Sequence, residues 1–148
     1  MEKVAKFEKV SLKQFEKDYL NSFPELSLSN IDLIYSHIKL PKRATVGSAG
    51  YDFFAPFDIE LAPHETVKVP TGIRCTMKEG VVLLVFPRSG LGFKYRLQLN
   101  NTIGVIDADY HGSSNEGHIY VKLTNDTNEN LHIKIKEGEG FAQGIFFR

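Results

Sequence analysis

The stretch VKVPTGIRCTMKEGVVLLVF (67–86) reads as three β-strands joined by two turns. Val67 and Val69 alternate with polar neighbours, and PTG (70–72) interrupts them. Ile73, Cys75 and Met77 alternate again before KEG (78–80). VVLLVF (81–86) is continuously apolar, the pattern of a strand buried on both faces. Period-two alternation in short runs, punctuated by Gly and Pro, is a strand signal.

The same pattern extends in both directions. Ile119, Val121 and Leu123 alternate, as do Leu131, Ile133 and Ile135. APHE (62–65), RSGLG (88–92), TNDTNEN (124–130) and KEGEG (136–140) supply turns. No helical period appears between these runs, which argues against a parallel α/β sheet and for an all-β sandwich or barrel. There are no internal repeats and no low-complexity tract.

The first thirty residues differ. In VSLKQFEKDYL (10–20), Ser11 can cap a helix and Gln14 completes a capping box. Val10 and Phe15 stand where a hydrophobic staple would close. The reading is a helix over about Ser11–Asn21, ended by Pro24 and SLSN (27–30). The expected organisation is a helical extension over 1–30 and a β domain over 31–148.

A chain of 148 residues suits one domain. Lys plus Arg and Asp plus Glu number 18 each, so a broad nucleic-acid footprint is not indicated. One cysteine, Cys75, excludes an internal disulfide and fits a reducing compartment. The N-terminus lacks an apolar leader and no run approaches a membrane span, so the expected location is cytoplasmic. The five histidines show no zinc spacing, and GxSxG and GxxxxGK motifs are absent.

Four stretches carry polar or glycine-rich chemistry. In SAGYDFFAP (48–56), Asp52 sits among aromatic residues, either as a structural ion pair or as a functional acid. In PRSGLGFK (87–94), Arg88, Ser89 and Gly90 offer a guanidinium, a hydroxyl and backbone N–H groups, the parts of an anion nest. NNTIGVIDADYHG (100–112) places Asp107, Asp109 and Tyr110 after an apolar strand that is expected to turn back as a hairpin. In EGEGFAQGIF (137–146), Gln143 is a lone amide in an apolar strand.

In order and spacing, these four stretches resemble the motifs of the trimeric dUTPase family, from about Lys39 to Arg148. The resemblance implies a jelly-roll-like β-barrel, a homotrimer with active sites at subunit interfaces, and hydrolysis of dUTP to dUMP and pyrophosphate with magnesium. By the same resemblance, Asp107 activates the water that attacks the α-phosphorus and accepts from the sugar 3′-OH. Tyr110 packs under the deoxyribose and leaves no room for a 2′-hydroxyl. Backbone groups of Val105, Ile106 and Asp107, the return strand near Tyr120 and the Asn101 amide hold uracil. Arg88, Ser89, Gly90 and Gln143 bind the triphosphate. Asp52 organises that region, either by pairing with Arg88 or by holding magnesium-bound water. Magnesium sits on phosphates and water, with no direct protein ligand.

The chain also departs from the family pattern. No glycine-rich arm carrying arginine and phenylalanine occurs before Arg148, so that arm is expected to be absent from this chain, or to lie in a tail beyond it. His111 stands where arginine is common, and HGSSNEG (111–117) replaces the usual return. Gly140 stands where a basic residue is common, so a phosphate or interface contact is expected to be missing. Two other readings remain: a non-catalytic dUTP sensor, and a relative of the dCTP deaminases.

Overall fold

Strands form across the alternating runs at 67–69, 73–77, 119–123 and 131–135 and across the apolar run 81–86. In the computed structural model, β1 is Ala5–Lys9, β2 Tyr51–Phe54, β3 Ile59–Leu61, β4 Thr66–Pro70, β5 Ile73–Met77 and β6 Val82–Pro87. β7 is Leu97–Leu99, β8 Gly104–Ile106, β9 Tyr120–Asn125, β10 Ile133–Ile135 and β11 Gly140–Phe147. The helices are α1 (Leu12–Ser22), α2 (Ile31–His37) and α3 (Ser89–Tyr95). The structure describes residues 3–24 and 30–148. Most of the SLSN stretch expected to end α1 lies outside the described residues.

Every named strand pairing is antiparallel. Among the described residues the strands form four sheets, ordered β2-β11-β6-β8, β4-β9-β7, β1-β5 and β10-β3. This is the mostly-β, jelly-roll-like architecture expected, although hydrogen bonding does not close the sheets into one barrel. The core joins residues of every sheet, with Phe53, Leu83, Val121, Leu123, Phe141 and Ala142 fully enclosed. In β5 the buried residues are Ile73, Cys75 and Met77, as alternation predicts. Burial pushes the Cys75 thiol up to about 12, so it is an inert apolar filler.

Three expectations change. The sequence pattern of β6 predicts burial on both faces, but only Leu83 and Val85 are buried while Val82, Leu84 and Phe86 are half-buried. The 1–30 extension is not purely helical. Its β1 pairs with β5, Phe7 opposite Cys75, and Phe7 packs against Tyr51, Phe53 and Phe146. The β pattern does not begin at Ile31, because residues 31–37 form α2, with Asp32 in the first turn and His37 in the last, complementing the helix dipole.

The α1 cap forms only half of the expected box. Ser11 Oγ accepts from Gln14 N at 3.1 Å, as a cap should. The Gln14 side chain, however, turns to Asp18 at 2.9 Å. The reciprocal carboxylate comes from Glu116, whose two oxygens accept from Ser11 N at 2.8 Å and Ser11 Oγ at 2.6 Å. Val10 and Phe15 are fully buried, so the staple region seats the helix on the core.

Candidate functional site

The loop after β8 carries the first group of candidate residues. β8 pairs with β6, Ile106 opposite Leu83 and Val105 opposite Leu84. Asp107 follows and is exposed, as is Asp109. They line an open cleft with Met77, Glu79, Ala108 and His111. The chain does not return as a hairpin. It makes a 3-10 turn at Tyr110–Gly112, and β9 then joins β4 and β7 rather than β8. Tyr120 pairs with Pro70, and its ring lies 4.9 Å from that of His118. The strand pair expected to bring Tyr120 beside Val105 is therefore not formed, because β8 takes its partner from β6. Asn101 is exposed on the turn before β8.

The return loop is held tightly. Gly117 has φ +72, and a Cβ there would come within 2.5 Å of His111 Cα and 2.8 Å of Tyr110 O. Only glycine closes the loop on itself at this point. Arg74 donates to Glu116 O at 2.7 Å and to His111 O at 3.0 Å. The Tyr110 hydroxyl donates to His118 O at 2.7 Å and accepts from Asn115 Nδ2 at 3.0 Å.

His118 anchors that loop from below. Its ring is fully buried, Nδ1 lies 2.6 Å from Asp18 Oδ2, and Nε2 accepts from Gly72 N at 2.8 Å. An acceptor Nε2 assigns the neutral tautomer with the proton on Nδ1. Burial lowers the His118 pKa, more than Asp18 raises it. Burial alone would raise the Asp18 pKa, but hydrogen bonds from Gln14, His118 and Tyr120 hold it below the usual value. The pair is thus a carboxylate bonded to a neutral imidazole. Nothing local in the sequence marks Asp18, Glu116 or His118, because each partner lies 100 or more residues away.

The second group gathers where β2, β11 and β6 meet. Gln143 of β11 sits in register with Asp52 of β2 and Phe86 of β6. Arg88 Nε lies 3.6 Å from Asp52 Oδ1. Gln143 Nε2 donates to Pro87 O at 3.3 Å. A Cβ on Gly140 would stand 2.6 Å from Arg88 Nη1, so this glycine leaves room for the guanidinium. The expected glycine-rich turn is instead α3. Arg88 occupies its N-cap position in extended conformation, and Ser89 and Gly90 form its exposed first turn.

The two groups lie at opposite ends of one strand. Asp107 follows the residue paired with Leu83, while Arg88 follows Pro87. Six residues of strand separate the two levels, or roughly 20 Å at about 3.3 Å per residue. Among the described residues, no three His, Cys, Asp or Glu side chains converge to hold a metal. No described helix is long and apolar enough to cross a membrane.

A sequence model of the dUTPase family matches residues 36–148. The deoxyuridine 5'-triphosphate nucleotidohydrolase of Lactococcus lactis is 42% identical over 110 residues, 74% of this chain and 72% of that protein. The crystal structure of dUTPase from Streptococcus mutans superposes with a TM-score of 0.68 at 32% identity, covering 95% of this chain and 93% of that one. A mutant dUTPase from phage phi11 of S. aureus, described with a coordinated structural Mg(II) ion, superposes at 0.68 with 20% identity over 98% of this chain and 90% of its own, a likeness of fold.

Proposed function

The chain belongs to the dUTPase family, and we propose that it hydrolyses dUTP to dUMP and pyrophosphate at sites shared between copies of the chain. The observation that carries the shared site is the roughly 20 Å between the Asp107 and Arg88 levels of β6. Arg88 turns its guanidinium towards Asp52 and Gly140 rather than towards Asp107, which favours an α-phosphorus met by Asp107 of another copy. The apolar row Val105–Leu84–Ile145 supports assembly as well. Its members lie opposite one another on one sheet face, half-buried or exposed, with Val105 58% accessible. Such a row suits burial against another copy. The family's homotrimer satisfies both requirements.

In this reading Asp107 accepts a proton from a water aimed at the α-phosphorus. The new P–O bond forms as the bond to the bridging oxygen breaks, and pyrophosphate leaves. Arg88, Ser89, Gly90 and Gln143 donate to the phosphate oxygens as charge develops there. Asp52 holds Arg88 in line. Tyr110 packs under the sugar, and backbone groups of Val105 to Asp107 with the Asn101 amide read the uracil edge. Magnesium, when bound, neutralises phosphate charge, with phosphate oxygens and water as its ligands.

Incubation with dUTP, dCTP and magnesium tests the proposal. Pyrophosphate released from dUTP is expected. Ammonia from dCTP would move the chain to deamination, and tight dUTP binding without product would make it a sensor. Asp107→Asn should retain binding and lose about 100- to 10,000-fold in turnover. Near-normal turnover would reject Asp107 as the base.

A further inference from the structure

We propose that Asp18 and His118 are positioning residues for the sugar end of the site, through which the N-terminal helix sets the orientation of Tyr110. The inference rests on the dUTP reading above but concerns residues outside the four motif stretches.

Tyr110 has two constraints on its hydroxyl, His118 O and Asn115 Nδ2. His118 is in turn fixed at both ring nitrogens, by Asp18 of α1 and by Gly72 N. Phe15 of α1 lies against the same ring at 6.2 Å. Two residues earlier, the Glu116 carboxylate clasps Ser11 at the start of α1. The helix therefore grips the loop at two points, Ser11 to Glu116 and Asp18 to His118, around Gly117. β8 reaches Tyr110 only through the exposed residues Asp107 and Asp109 and the half-buried Ala108. Arg74 of β5 fixes the neighbouring His111 O and Glu116 O, while His118 O, the acceptor of the Tyr110 hydroxyl, is held from the N-terminal helix. Loosening either grip lets the ring tilt and admits a 2′-hydroxyl.

A purely structural role predicts something different. Removing Asp18 would then lower the folded fraction while each folded molecule kept its KM and selectivity. The test uses the full chain, with steady-state kinetics on dUTP and UTP and hydrogen exchange over residues 108–118. Asp18→Ala is expected to raise KM for dUTP and to lower the dUTP-over-UTP ratio of kcat/KM about tenfold, within what an ångström-scale misplacement costs. Exchange should quicken in 108–118 more than elsewhere. Asp18→Asn should recover most of both, because an amide oxygen still accepts from His118 Nδ1. A lower melting temperature with unchanged KM, ratio and local exchange overturns the proposal. If Asp18→Ala does not fold, Glu116→Ala removes both bonds to Ser11 and should shift the ratio the same way by less; no shift overturns it. A chain that releases no pyrophosphate from dUTP sinks the functional reading, while the exchange arm still decides the tether.

Discussion

Acid should destabilise this protein through one side chain. His118 is fully buried and neutral, with Nε2 accepting from Gly72 N. Its pKa in the folded chain is lowered, chiefly by burial. The unfolded chain therefore takes up the proton first, at about pH 6.5. Stability from this group is fully present above that value and is lost as pH falls towards the folded pKa. One proton sets a ceiling of about 1.4 kcal/mol per pH unit, so about 2 kcal/mol between pH 6.5 and 5. For a chain of this length that is about 4–8 °C of melting temperature. Protonation also places a donor at Nε2 opposite the Gly72 N–H, which loosens that contact. The charged groups facing the ring are Asp18, Glu116 and Lys68. Asp18 and Glu116 have lowered pKa values, so their own losses begin only as pH falls into the ordinary carboxylate range and run on below it. Thermal melts followed by circular dichroism, at fixed protein concentration from pH 8 to 5, measure the slope. His118→Gln cannot bind the proton and should be less stable at pH 8 but flatter below 6.5. Equal slopes for the two proteins would refute the reasoning.

Gly140→Ala should leave the melting temperature nearly unchanged, because the Arg88 guanidinium it meets can swing aside. It should raise KM for dUTP about tenfold through a misplaced charged donor, and unchanged KM would remove Arg88 from the phosphate site. Leu83→Ala empties a fully buried position in β6 and should cost about 2–5 kcal/mol in chemical denaturation. Tyr110→Phe loses the bond to His118 O, so it should cost about 1 kcal/mol and weaken discrimination against UTP. Intact discrimination would mean the hydroxyl does not hold the ring.

Strands were legible wherever one face is buried and the other wet. β5, β9 and β10 alternate cleanly, and period two alone identifies their inward apolar residues, though not the buried Asn125 of β9. β1 escaped because AKFEK carries three charges and one strong apolar residue, and it becomes a strand only by pairing with β5. α3 escaped because Gly90 and Gly92 are poor helix formers, and Ser-Gly pairs normally mark turns. Asp52 and Arg88 could be paired from chemistry, since a carboxylate among aromatics needs a cation. The Glu116–Ser11 and His118–Asp18 contacts could not, because closure across 100 residues leaves no local pattern. The expected hairpin is not formed for a related reason: β8 pairs with β6, a strand distant in sequence, and β9 with β4 and β7.

The length of β6 has a genetic consequence. In an assembly built as proposed, one chain contributes its Arg88 end and another its Asp107 end to each site. A chain with a damaged Asp107 and a chain with a damaged Arg88 would each be silent alone. Mixed in one assembly, they could complete a site from their two intact ends. Two inactive versions of this protein produced in one cell would then restore activity by complementation, and the yield would follow the statistics of how the copies sort.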